Sequence, residues 1–204
     1  MNERFSSHLF WGSHSPLSTL TGAALIIITS SRFGFALICA GALLWVYGLT
    51  ALVFSAARNV MPGRGRMLVL LFLAAFFSGI FVLLASLSNP LLIFGAGFFL
   101  LLIPPCLLGS GFFEASESQS TLETVSRALL EAMVLSVIIL GLALIREPLG
   151  MGTLSVPGGS QGLTEIFQFA NNGFLPVRIL SVSAGGFLLF GYGTALFRYL
   201  KERL

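Results

Sequence analysis

Charge is what this chain has least of: 11 Lys and Arg and 8 Asp and Glu among 204 residues, 9% of the total, against roughly 25% in soluble domains. With 56% of its residues apolar, it cannot cover a folded core with polar groups, which excludes an ordinary soluble domain. Cysteine is scarce as well. Cys39 and Cys106 both sit in apolar stretches, so no disulfide scaffold is indicated, and each thiol is open to either inert packing or metal ligation. The pI is near 9.3, yet the cations are scattered with no basic stripe interleaved with stacking aromatics, which argues against a nucleic-acid partner. Phosphate-cradling glycine loops, nucleophile and base pairs, and thiol pairs at metal-finger spacing are all lacking, so no bond-making catalytic residues are expected.

What the chain does have is a series of uncharged apolar stretches of about 20 residues, the length that spans a bilayer core. They predict an all-α integral membrane protein, a single membrane domain over 1–204, with six segments near 16–31, 34–57, 67–87, 91–109, 124–145 and 179–199. The apolar run after Arg4, His8 and His14 has no small-residue cleavage site, so the first segment is expected to stay in the mature chain. Segment 1 is short and polar at both ends. Segment 4 carries Gly95 and Gly97 and then Pro104-Pro105, whose missing amide hydrogens and ring clashes break an ordinary helix. Both are read as half-helices.

An even number of crossings puts both termini on one side, together with Arg4, Arg58, Arg64, Arg66, Arg127, Arg198, Lys201 and Arg203. Arg32, Arg146 and Arg178 fall on the other. The positive-inside rule then places the termini in the cytoplasm. The stretch 147–178 becomes extracytoplasmic, with Gly158-Gly159 and Asn171-Asn172-Gly173 as turns around a short amphipathic piece at 163–170, either a packed loop over the helix ends or an interfacial anchor.

Segment 2 ends in Ala57-Arg58-Asn59 before Pro62-Gly63, and segment 5 ends in Ile145-Arg146-Glu147 before Pro148 and Gly150. Segments 1 and 4 start after Ser15-Pro16-Leu17 and Asn89-Pro90-Leu91. These matches predict two three-segment repeats, about 8–87 and 88–204, in inverted topology because three is odd. Broken segments at matching positions of inverted halves point to a site at the membrane midplane.

Arg58-Asn59 closing segment 2, Pro62, Arg66 opening segment 3, Cys106 in segment 4 and the run Ile-Arg-Glu-Pro-Leu-Gly-Met-Gly-Thr-Leu at 145–154 together resemble the Rnf/Nqr family of six-helix membrane subunits. The resemblance is to the RnfE/NqrD branch, found in the Rnf electron-transport complex and in the sodium-translocating NADH:quinone reductase, and it runs from about residue 8 to the C-terminus. It implies a subunit of an ion-translocating electron-transport complex in the bacterial cytoplasmic (inner) membrane. A homologous, oppositely oriented six-helix subunit would pair with it, and flavin-bearing and iron-sulfur subunits would carry the flavin and NADH sites. Half-helix cysteines of the two paired subunits would hold a [2Fe-2S] or other iron centre, through which electrons cross the bilayer coupled to Na+ or H+ movement.

The chain departs from that pattern at Gly22-Ala23-Ala24, where the family's first half-helix cysteine aligns at Ala24. Cys106 is the position that matches, as cofactor and metal ligand. A four-thiolate cluster needs two ligands from each subunit. The site is therefore rebuilt, completed by another group, or lost. At 1.5 Å per residue, Cys39 and Ala24 lie at about the same depth below Arg32, so Cys39 is either a replacement ligand or a buried inert thiol.

Among other polar residues, Glu131 lies inside segment 5 one turn after Arg127, either an i,i+4 pair or part of an ion or charge path. His8 and His14 read as interfacial residues, and Gly185, Gly186, Gly191 and Gly193 as helix-packing positions. Glu123 follows the Ser-rich loop 114–123 at a helix start. Two further functions compete with the electron-transport subunit. One is a small inverted-repeat transporter or channel with segments 1 and 4 lining its site, and the other is an iron-free structural subunit of the same complex.

Overall fold

The computed structural model describes residues 20–57, 65–109, 120–159, 162–168 and 176–203. Readings placed on His8, His14, the 58–64 loop, the loop 110–119 and Asn171-Asn172-Gly173 lie outside the described residues.

The architecture is that of an all-α membrane protein. In chain order it comprises α1 (Leu20–Thr29), α2 (Phe33–Ala57), α3 (Arg66–Ser88), α4 (Pro90–Leu100), α5 (Ile103–Gly109), α6 (Thr121–Met151), strands β1 (Thr153–Pro157) and β2 (Leu163–Gln168), a 3-10 turn Arg178–Leu180, and α7 (Ser183–Arg203). Four spans are long and apolar enough to cross a bilayer: α2, α3, α4 with α5, and α6. On α3, Phe72 and Phe76 are 73% and 62% exposed and Leu87 83%, which suits a helix whose outer surface meets lipid.

Packing is most extensive between α2 and α6. Along α6 the buried positions Thr124, Ala128, Ala132, Leu135, Ile139 and Ala143 recur every three or four residues, the spacing of one helical face. The small side chains among them, Ala128, Ala132 and Ala143, let the helices approach closely. Ser136 Oγ donates to the Ala132 carbonyl one turn earlier at 2.7 Å and across the contact to the Ala40 carbonyl at 3.5 Å.

Segment 4 breaks where its sequence foretells. After α4, Leu102 N donates to Phe99 O in a tight turn and the first bond of α5 runs from Cys106 N to Leu102 O. Pro104 and Pro105 thus occupy the first turn of a restarted helix, where amide donors would have no intrahelical partner. Asn89 opens α4, its side chain accepting from Leu92 N at 3.3 Å, with Pro90 in the first turn. Serine plays the same part at α6. Ser120 Oγ accepts from Glu123 N while Glu123 Oε2 accepts from Ser120 N at 3.0 Å, a capping box. Ser120→Ala should lower stability by about 1 kcal/mol, read as a drop in thermal unfolding midpoint in detergent, whereas Ser126→Ala, outside the cap, should leave it unchanged.

Two features differ from expectation. The helix of segment 5 continues past Pro148 to Met151 and stops only at Gly152, which takes the left-handed conformation at φ 69° and donates to Pro148 O. Proline forfeits one bond there, to the carbonyl of exposed Leu144. The piece at 163–170 contributes strand β2, paired antiparallel with β1. Its run Leu-Thr-Glu-Ile-Phe is rich in β-branched and aromatic residues, and the turn at Gly158 and Gly159 folds it back. The hairpin lies over one end of the bundle, with Leu163 against Gly34 at the start of α2 and Gly162 against Leu92 at the start of α4. This hairpin end also gathers the last turns of α1 and α6.

Candidate functional site

Two clusters of buried polar groups stand out among the described residues. One lies within the bundle, where Cys39 on α2 and Cys106 on α5 belong to the same buried core. Cys39 lies beside the Thr29 hydroxyl and within electrostatic reach of Cys106, and Thr29 Oγ1 itself donates to the Leu25 carbonyl at 2.6 Å. Cys106 Sγ accepts from Tyr47 Oη at 3.6 Å. Tyr47 is fully buried on the stripe of α2 that faces α5 and α6. Glu131 is close enough to act electrostatically on both Tyr47 and Cys106. The structure thus brings Cys39, Cys106, Tyr47 and Glu131 into one neighbourhood, of which the sequence points to all but Tyr47. Ala24, at the position of the missing cysteine, lies partly buried on α1.

Glu131 is 2% exposed and takes Arg127 Nε at 3.3 Å, while the Arg127 side chain is 32% exposed. The carboxylate is therefore inside and the guanidinium reaches outward along α6, the geometry of a snorkelling cation.

A shared iron-sulfur cluster can be tested against this geometry. Two thiols in one neighbourhood match the kind and number of ligands one subunit must supply. Their position does not match. A cluster held between two subunits needs sulfur atoms at the subunit surface, but Cys106 is 0% and Cys39 1% exposed, and Cys106 is engaged by Tyr47 within the chain. No cluster of three or more His, Cys, Asp or Glu suited to a metal occurs among the described residues. As folded, the pair does not fit a shared cluster.

The second cluster sits at the hairpin end and is not visible in the sequence, which presents Arg146 as a surface cation. It is instead 2% exposed. Its Nε donates to Leu180 O at 2.7 Å, Nη1 to Ile27 O and to Ser30 Oγ at 3.1 Å, and Nη2 to Ser181 O at 3.0 Å and Val182 O at 2.9 Å. All five guanidinium hydrogens are used. The neighbouring Glu147 is 1% exposed, and its Oε2 accepts from Phe33 N at 2.6 Å. Consecutive residues thus hold both sides of the Ser30-Ser31-Arg32 turn, the cation at the negative end of α1 and the carboxylate at the positive end of α2. A signal for this role exists in the sequence: a short helix leaves carbonyls without partners, and an arginine fork is suited to collect several of them.

Comparison of the sequence with protein-family models and with curated proteins finds no match.

Proposed function

We propose that this chain is a hydrophobic subunit of an Rnf/Nqr-type ion-translocating electron-transport complex, set in the bacterial cytoplasmic membrane with both termini cytoplasmic. Its two inverted three-segment halves, α1 to α3 and α4 to α7, would pair with a homologous six-helix subunit of opposite orientation. The observation that carries this reading is the meeting of the two interrupted segments. The 10-residue α1 packs against the 7-residue α5 beside the thiols of Cys39 and Cys106, and broken backbone inside a membrane protein is tolerated where it lines a site. Further support comes from the run 145–154, part of the family resemblance: it supplies the buried Arg146 and Glu147, which hold the end of α1 and the start of α2.

Within such a complex the chain acts as scaffold. Iron ligation by its thiols would require the packing around Cys106 and Cys39 to open on pairing. The test is co-expression with the neighbouring membrane subunits, anaerobic purification, and measurement of iron and the paramagnetic resonance spectrum of wild type, Cys39→Ala and Cys106→Ala. Co-purification with flavin-bearing subunits and a spectrum unchanged by either variant is the expected result. An iron signal lost in both variants would make the two thiols ligands after all. A chain that purifies alone and moves a solute in vesicles would replace this reading with that of a transporter.

A further inference from the structure

Arg146 connects parts of the chain far apart in sequence. Through one side chain, the C-terminal part of α6 is bonded to the end of α1, 119 residues away at Ile27, and to the turn that opens α7, 34 to 36 residues away. Among the described residues, no carboxylate is a hydrogen-bond partner of this guanidinium. Its charge is answered by the carbonyl dipoles at the end of α1 and of residues 180–182 between the 3-10 turn and α7, which converge on the fork only while all three segments stay together.

The surroundings are shaped to this contact. A Cβ on Gly186 would come 3.0 Å from both Arg146 Nη1 and Ile27 Cγ2, and one on Gly150 would come 2.8 Å from Ser181 N. Val177 N donates to Leu149 O at 2.8 Å, a second tie between the 3-10 turn and α6. Direct packing between α1 and α7 exists, but the guanidinium supplies their shared polar anchor.

We propose that Arg146 is a conformational latch that makes the half-helix α1 and the opening of α7 one mechanical unit with the end of α6. While it is engaged, the depth of α1 is fixed, and with it the placing of Thr29 beside Cys39. Released, α1 and the 178–186 segment move free of α6 together. This positioning role does not depend on the electron-transport reading.

Hydrogen-deuterium exchange of the full chain in nanodiscs tests it, comparing wild type with Arg146→Gln, Arg146→Lys and Gly186→Ala. In Arg146→Gln, exchange over 24–33 and over 178–187 should rise together by about tenfold or more, with the α2 and α6 contact around Ala40 and Ser136 unchanged. Lysine, a point charge without the fork, should give a smaller rise in the same two segments. Gly186→Ala crowds the guanidinium without removing it and should raise both segments as well. If Arg146→Gln does not accumulate, Gly186→Ala alone decides. A rise confined to one segment, a uniform rise through all helices, or no change would overturn the latch.

Discussion

Replacing Gly185 with alanine should destabilise this chain by about 3 kcal/mol or more, at the upper end of what overpacking costs. The same change at Gly191 or Gly193, on the same helix, should cost almost nothing. A Cβ at Gly185 would press on the Ile179 carbonyl oxygen and lie 2.5 Å from Leu180 Cα. Those are backbone atoms of the 3-10 turn, which cannot swing aside as a side chain could. The turn is held in place because Leu180 O accepts from Arg146 Nε and Ser181 Oγ donates to Arg178 O at 2.7 Å. Among the described residues, nothing outside the helix's own backbone lies within 4 Å of a Cβ added at Gly191 or Gly193. Thermal unfolding of the three variants in one detergent would measure the contrast. Equal losses at all three positions would mean that α7 is packed along its whole length and that the close approach to the 3-10 turn is not what requires glycine.

The contrast also shows what the sequence could and could not convey. In the sequence Gly185, Gly186, Gly191 and Gly193 read alike as helix-packing positions, and nothing in their spacing separates Gly185, which abuts backbone, and Gly186, which abuts the side chains of Arg146 and Ile27, from the other two. The membrane segments, by comparison, are legible because lipid imposes a simple rule on every residue of a span. Segments placed at 34–57, 67–87 and 91–109 correspond to α2, α3 and α4 with α5, and the interruption near Pro104-Pro105 is where the chain turns and restarts. Backbone chemistry alone dictates that break.

The burial of Arg146 is hidden for a related reason. An arginine at the end of an apolar run is ordinarily an anchor at the water boundary, and hydropathy cannot tell it from one that turns inward. Its partners are carbonyls of Ile27, Leu180, Ser181 and Val182, groups every residue has and no residue type reveals. The hairpin is hidden too, because alternation over six residues is a weak signal beside a loop rich in glycine, and its packing partner, Gly34, lies in another segment. The neighbourhood of Cys39 and Cys106 is only half legible. Depth follows from the rise per residue, but in an all-apolar helix the rotation of Cys39 is set by which stripe meets α6. That stripe is defined by the small residues of the partner helix, not by a polar face of α2.

The pair Arg127 and Glu131 separates a structural role from a charge-carrying one. The carboxylate is almost wholly buried while a third of the guanidinium side chain is in contact with the surroundings, so the two partners are not equivalent. Arg127→Met removes the cation while the Glu131 carboxylate stays buried. The expected loss is about 2 kcal/mol, below the roughly 3–5 kcal/mol of a fully buried broken pair because half of this pair is solvated. Glu131→Gln keeps an oxygen that accepts from Arg127 and removes the buried charge, so its cost should stay under about 1 kcal/mol. The double variant should be no less stable than Arg127→Met alone, since the buried charge of Glu131 is absent. Unfolding midpoints of the four proteins close this cycle. If the chain serves in the proposed complex and Glu131 has a structural role alone, the ion-coupled turnover of that complex should follow stability and survive Glu131→Gln. Abolished ion movement in a Glu131→Gln protein of undiminished stability would instead assign the carboxylate to the ion path, because glutamine reproduces its shape and its acceptor oxygen but not its charge or its proton.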